Sequence, residues 1–324
     1  MIQWRLGCMT AGTMALAACA GALAQSAYPS RPVRIVVPYA PGGGTDINAR
    51  NVAPKLTELW GQSAVIDNRP GGNAMIGTDI VAKAAPDGYT VLMSASSEIV
   101  TTLSLFKTIP YDPLKDLEPV TLVSNSPLCF TAHPSTGLKT IKELVATAGQ
   151  RKYSFASVGT ASPQHLAGEW LKTLAKIDMV HVPFKGAGPA LNDNLGGHVP
   201  IAILPLLPVV PHVKAGRLNA LAVTSAARAP VLADVPTMKE VGYPDIELVQ
   251  WYGVFLPAKT PRAIIDKLNK DMNTIFNLPD VKERLAIVGA DVLATTTPAQ
   301  FGQFVRTEID KNRRIIQAAG VKME

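Results

Sequence analysis

The chain has 324 residues, 47% of them apolar and 17% charged, a composition that fills ordinary globular cores and excludes a disordered, collagenous or coiled-coil protein. At ~150 residues per domain the length points to two domains. The 31 Lys and Arg against 25 Asp and Glu leave a formal net charge of +6, but they are scattered, with no run longer than a pair such as Arg313-Arg314. Nucleic-acid binding wants a basic stripe, so no nucleic-acid partner is expected, and the excess is a mild bias toward anionic ligands.

Arg5 precedes an uncharged, weakly apolar stretch from Leu6 to Ala24 that ends in Ala22-Leu23-Ala24. Residues 1–24 therefore read as a secretory signal peptide with an A-x-A cleavage site, which places the mature protein in the periplasm. Leu16-Ala17-Ala18-Cys19 also fits a lipoprotein cleavage box, which would leave a lipid on Cys19 instead. Cleavage after Ala24 leaves Cys129 alone, so no internal disulfide is expected. The most apolar later stretch, Val199 to Val213, is interrupted by Pro200, Pro205, Pro208 and Pro211 and does not read as a membrane span.

In chain order, short β-rich runs alternate with helical patterns, the signature of parallel sheets covered by helices. The first strand falls at Arg34 to Val37, and after Thr45 comes a helix whose apolar face is Ala49, Val52, Ala53, Leu56, Leu59 and Trp60. Pro54 is expected to kink or shorten it. Strands at Ala64 to Asp67 and Tyr89 to Met93 bracket a helix at Met75 to Ala84, completing a βαβαβ unit. Val120 to Ala132 is extended, and Thr140-x-x-Glu143 is a capping box opening a helix.

A second unit has strands at Tyr153 to Ser157, Met179 to Val182, Val199 to Ile203 and Leu218 to Thr224, with helices at Pro163 to Lys176 and near Ala190 to Leu195. Thr237-x-x-Glu240 and Thr297-x-x-Gln300 are further capping boxes, and Thr260-Pro261 puts Pro at a first helical position. Gly242, Gly289 and Gly320 are read as C-terminal caps. Ile246 to Leu256 is a second extended stretch, and with Val120 to Ala132 it supplies two crossings between lobes. The expected organisation is a discontinuous first domain, 25–125 with 248–324, and a second domain, 126–247.

The chain lacks G-x-S-x-G, H-E-x-x-H, C-x-x-C and the Walker A pattern. His133, His165, His181, His198 and His212 show no short metal-ligand spacing. No metal, cofactor or catalytic residue is expected. What is present is a set of glycine- and hydroxyl-rich loops, each between a strand and a helix. They are Pro41-Gly42-Gly43-Gly44-Thr45-Asp46, Ser94-Ala95-Ser96-Ser97, Val158-Gly159-Thr160-Ala161-Ser162 and Pro183-Phe184-Lys185-Gly186-Ala187-Gly188. Ligands of open α/β sheets sit outside the carboxyl ends of the strands. Glycine lets the backbone approach closely, and the free N–H groups of a helix start suit an anion such as a carboxylate. Any one of these loops reads equally well as plain capping, Ser162-Pro163 and Thr45-Asp46 above all.

Val37-Pro38-Tyr39-Ala40-Pro41-Gly42-Gly43-Gly44-Thr45-Asp46 resembles the first ligand loop of the Bug receptors, the substrate-binding proteins of tripartite tricarboxylate transporters. Asp67-Asn68-Arg69-Pro70-Gly71-Gly72, Thr160-Ala161-Ser162-Pro163-Gln164-His165-Leu166, His181-Val182-Pro183-Phe184-Lys185-Gly186 and Trp251-Tyr252-Gly253-Val254-Phe255 follow in family order, so the resemblance spans the mature chain. It implies a two-lobed type II periplasmic-binding-protein fold that captures a ligand, commonly a carboxylate, between its lobes. Pro41 to Asp46, Ser96, Ser97, Thr160, Ala161, Ser162, His165, Phe184, Lys185, Gly186 and Ala187 are then the candidate ligand contacts. The implied partners are a small organic acid and inner-membrane transporter subunits, with the protein a monomer. A ligand-sensing subunit for a sensor kinase, or an exported enzyme using His165 as base, are the rival readings. Ser97-Glu98-Ile99-Val100-Thr101-Thr102, Phe184 and Ile203-Leu204-Pro205-Leu206-Leu207 depart from the usual pattern and read equally well as a preference for a bulkier or more apolar acid, an aromatic one included, or as core packing.

Overall fold

The computed structural model describes residues 28–319. The expected signal peptide, the alternative lipidation box at Cys19 and the expected cap at Gly320 lie outside the described residues. β1 (Val33–Val37) leads through the first glycine loop into α1 (Gly44–Trp60), then β2 (Ala64–Asn68), α2 (Met75–Ala82) and β3 (Thr90–Ala95). β3 runs into one π-type turn at Ser97–Thr101 and the short α3 (Thr102–Leu105), then β4 (Leu117–Ala132). Next come α4 (Ile141–Thr147), β5 (Tyr153–Ser157), α5 (Pro163–Ala175), β6 (Met179–Pro183) and α6 (Ala187–Leu195). The chain continues with β7 (Ile201–Pro205), α7 (Leu206–Lys214), β8 (Asn219–Val223) and β9 (Val249–Pro257). It closes with α8 (Arg262–Phe276), α9 (Pro279–Ile287), β10 (Asp291–Val292) and α10 (Pro298–Ala319).

The strands follow the order β2-β1-β3-β9-β4-β7-β5-β6, with β8 and β10 both paired to β4. β1 is parallel to β2 and β3, and β5 is parallel to β6 and β7, so each half carries its own parallel unit. The 16-residue β4 joins them: its first part pairs antiparallel with β9, from Leu117 opposite Pro257 to Pro127 opposite Val249. Its last part, Leu128 to Ala132, pairs with β7 and β8.

Alternation along β1 sends Val33, Ile35 and Val37 into one core with α1, α8 and α9, and Val36 into another with Leu92, Phe255 and Phe301. In the second half Phe130 and Phe155 pack under α4 and α5, while Cys129 and Ala156 pack under α6 and α7. Helices cover both faces of each half, the doubly wound arrangement expected from the sequence.

Three local expectations need correction, and one segment to which periodicity assigned no element is helical. α1 runs through Pro54 without being shortened, because Pro54 lies on the exposed face, where water reaches the carbonyl of Arg50 that the proline leaves unpaired. The Thr237 box does form, with Thr237 N–H donating to Glu240 Oε2 at 2.7 Å and Glu240 N–H to Thr237 Oγ1 at 3.1 Å, yet it closes only a turn. Gly242 at φ 99° and Pro244 stop it there. The apolar segment after β7 is a helix, α7, since Pro205 is its N-cap and Pro208 occupies the first turn, where no N–H is needed. Pro261 is the N-cap of α8, one position before the expected one.

Candidate functional site

The loops after β1, β3, β5 and β6 converge, and the two halves touch through them. Ala40 N–H donates to the Lys185 carbonyl at 3.0 Å. Gly188 is pressed so close to the first loop that a Cβ there would lie 2.1 Å from Pro41 O, and a Cβ on Gly159 would lie 2.9 Å from Asn73 Oδ1. The cleft is therefore shut. It retains an inner cavity of about 20 Å³, room for about one water, which Gly43, Gly44, Thr45, Tyr39, Gln164 and Tyr252 help to line.

Much of the inner wall is the start of α1. Its N-cap, Gly43, has no side chain to cap the helix, and the N–H groups of Gly44 and Thr45 have no backbone partner. Gly44 has no Cβ, and one there would fall 2.1 Å from Tyr252 Oη, so glycine is what lets this phenol reach the helix start. The Tyr252 hydroxyl is buried without a hydrogen-bond partner. Opposite, Gln164 Nε2 donates to Gln250 Oε1 at 3.1 Å and Gln250 Nε2 to Ser96 Oγ at 2.8 Å, linking α5, β9 and the end of β3. Gln164 Oε1 is left buried and unpartnered. The wall thus offers donors at the positive end of a helix and an orphan acceptor across from them.

The first loop is ordered from within. The buried Asp46 accepts from Gly42 N–H at 3.0 Å, Arg50 Nε at 2.7 Å and Asn68 Nδ2 at 3.1 Å. Burial would raise its pKa, but these hydrogen bonds and the Arg50 charge outweigh burial and hold it below the ordinary carboxylate value. Asp46 and the Gly42 N–H are consequently spent on loop geometry. Gly42 also carries the left-handed backbone, φ 86°, whereas Gly43 is extended at φ −87°. Asp46→Ala is expected to cost about 1–3 kcal/mol, since it strands the Gly42 donor and frees the loop. Urea unfolding of the variant checks this, and an unchanged midpoint would show the loop holds itself.

The remaining sequence candidates divide. Ala187 lines the inner cavity, and Pro41 and Gly186 form the inter-half contact. Thr160, Phe184 and the exposed Lys185 line a second cavity of about 250 Å³ that shares Tyr39 and Val158 with the first and is bounded by Gly71 to Ala74. Ser162 is a cap: its Oγ accepts from His165 N–H at 3.2 Å and donates to the Gly159 carbonyl at 2.7 Å. Ala161 is left-handed, φ 62°, and its N–H donates to His165 Nδ1 at 3.2 Å. His165 stacks on His181 at 4.0 Å between ring centroids, and burial, then Lys172, pushes its pKa down to about 4. Neither His165 nor Ser162 lines the inner cavity. Ser96 accepts from Gln250, and Ser97 Oγ is buried without a partner.

Tyr39, Gln164, Gln250, Tyr252 and Glu98 were not candidates from sequence. Tyr39, Gln164 and Tyr252 each sit inside a quoted stretch of the resemblance, which was the available signal. Glu98 belongs to the departing stretch after β3. Its carboxyl is fully buried and accepts from Tyr39 Oη at 2.6 Å, Ser94 Oγ at 2.9 Å and Ala95 N–H at 2.8 Å. Tyr111 Oη donates to the Glu98 carbonyl at 2.8 Å. Burial pushes the Glu98 pKa up to about 6, against the pull of these hydrogen bonds.

Among the described residues no group of His, Cys, Asp and Glu could hold a metal ion, and no helix is long and apolar enough to cross a membrane. Two α/β halves joined by crossing strands, with a polar cleft at the strand ends, define a two-lobed solute-binding protein of the periplasmic type. The family model described as tripartite tricarboxylate transporter family receptor, TctC, matches residues 48–321. The chain belongs to this family. It is 38% identical over 316 residues to protein BugT of Bordetella pertussis, covering 96% of each chain. It is also similar to the periplasmic binding protein BugD, at 34% identity and TM-score 0.88 over 92% of this chain and 100% of that one. Rpa4515 of R. palustris with adipate matches at 32% identity and TM-score 0.87, again over 92% of this chain and 100% of that one.

Proposed function

We propose that this protein is an exported receptor that captures a small carboxylate between its lobes, without covalent chemistry, and delivers it to a membrane transporter of the tripartite tricarboxylate type. The observation that carries this is the uncapped start of α1, aimed with the unpartnered Tyr252 hydroxyl into a cavity enclosed by both halves. The adipate held by a relative of the same fold supports a carboxylate as ligand. On this reading the domains are 25–125 with 248–324 and 126–247, and the bend lies in β4 and β9. Gly43, Gly44, Thr45, Tyr252 and Ala187 meet the ligand, with Thr160, Phe184 and Lys185 at the cleft mouth.

A cavity of about 20 Å³ holds no organic acid, so the halves must part to admit one and then close on it. Calorimetric titration with mono-, di-, tri- and aromatic carboxylates is expected to find a binder. Scattering is expected to show a smaller radius of gyration with that binder present. Failure of every carboxylate to bind would reject the reading, and a binder that leaves the radius unchanged would reject closure unless the free protein is already closed.

A further inference from the structure

We infer that the site around the inner cavity, once the halves have parted to admit a ligand, selects an acid with a single carboxylate and, elsewhere on the molecule, a hydrogen-bond donor, a hydroxyl or an ammonium, and that buried Glu98 sets this preference. The inference rests on the carboxylate reading above and specifies its substrate class. Two independent features of the cavity's surroundings carry it.

The first is Glu98. Its carboxyl stands behind the wall formed by Tyr39 and Ala95, and its partners there are neutral donors rather than a cation. The single proton of the Tyr39 hydroxyl is committed to Glu98 Oε2 at 2.6 Å. What Tyr39 can still offer a ligand is its oxygen lone pair and the electron-rich face of its ring, both of which attract a donor or a cation. A negative charge enclosed in a low-dielectric interior acts strongly on its neighbours. A second carboxylate placed against this wall would meet like charge and find no proton.

The second feature is Gln164 Oε1, an acceptor on a residue with no exposed surface, lining the same cavity with no partner. Gln164 Nε2 is fixed by Gln250, so the amide presents its oxygen. A buried orphan acceptor is costly until a donor reaches it, and a ligand hydroxyl or ammonium supplies one. The lining therefore combines the N–H donors of the α1 start and the Tyr252 hydroxyl with an acceptor that a second carboxylate could not satisfy.

The test compares acids of matched chain length that end in CH₂OH, CH₂NH₃⁺ or a second carboxylate, titrated calorimetrically into the wild type and into Glu98→Gln. The donor-ended acids are expected to bind about 10-fold or more tightly than the matching dicarboxylates, a difference of about 1.4 kcal/mol. In Glu98→Gln the amide can donate to the Tyr39 oxygen, releasing the phenol proton to the cavity, so the ratio should shift toward dicarboxylates by a similar factor. Gln164→Leu provides a second route, removing the orphan acceptor and reducing the preference, should Glu98→Gln not fold. Equal affinity for both series in the wild type, or a ratio unmoved in a folded variant, would overturn the inference while leaving the carboxylate receptor standing. Binding of neither series would overturn the inference, and the carboxylate reading falls with it only if no other carboxylate binds.

Discussion

Gly188→Ala is expected to fold and to lose ligand affinity by about 100-fold or more, equivalent to about 2.7 kcal/mol. The added Cβ would lie 2.1 Å from Pro41 O and 3.5 Å from Gly42 Cα, both in the first loop of the opposite half. A backbone carbonyl cannot rotate aside as a flexible side chain would, so relief comes from parting the lobes. Gly188 does not adopt left-handed backbone, and Ala brings no φ penalty there, although Pro189 behind it adds some crowding. The cost falls on the shut state and on any liganded state that keeps this loop contact. Gly149→Ala, where a Cβ meets nothing within 4 Å, is the control. Titration of both variants, after circular dichroism and thermal melts, decides the matter. Near-normal affinity in folded Gly188→Ala would mean that the loop contact is not part of the liganded state.

The stacked pair His165 and His181 is expected to cost roughly 5 kcal/mol of stability between pH 6.5 and pH 4, a net fall of roughly 3 kcal/mol once an opposing carboxyl is counted. Burial, then Lys172, lowers His165 to about 4. Burial, then the charges of His165 and Lys172, lowers His181 to about 3. The unfolded chain takes up protons on these imidazoles near pH 6.5 while the native state refuses them until far lower pH. Stability from the pair is thus present above pH 6.5 and is lost as pH falls.

Glu98 works in the opposite direction. Its pKa is raised from 4.5 to about 6, so the native state holds a proton that the unfolded chain has released, and stability from this group is lost as pH rises through 6. That change, about 2 kcal/mol at 1.36 kcal/mol per pKa unit, partly offsets the histidine effect below pH 6. His181→Phe keeps a ring on the His165 and Phe155 stacks and should remove the larger part of the acid loss. Urea midpoints at pH 7, 5.5 and 4 test this, and an identical drop in the variant would place the acid sensitivity elsewhere.

Periodicity made the two α/β units legible because strands and helices that face a core must repeat at 2.0 or 3.6 residues. It could not show that Leu117 to Ala132 is one strand serving two half-sheets, since both partners see the same alternation. Glycine loops at strand ends were legible from chain order, but their internal roles were not. Asp46, Gly42 and Ser162 look like ligand donors or caps in sequence, and only the positions of Arg50, Asn68 and Gly159 show that these groups bind the loop itself. The Gln164 to Gln250 link joins residues 86 apart and left no local signature. Glu98 was visible only as a departure, because a lone acid in an apolar stretch says nothing of the phenol that meets it from β1's loop.

The two covalent passages between the halves, β4 and β9, are hydrogen-bonded to one another as a single antiparallel ladder. Two separate tethers would allow the halves to roll and slide independently. A laced ribbon behaves like one axle: torsion in either strand is transmitted to its neighbour, and sliding would require breaking rungs. The ladder's two register irregularities, between Pro119 and Thr121 and between Leu122 and Ser124, lie within the first half's sheet and bend and twist β4 there. If the halves part and close as proposed, such a ladder would confine the movement to nearly one degree of freedom, and the loops at the strand ends would meet in the same register at each swing.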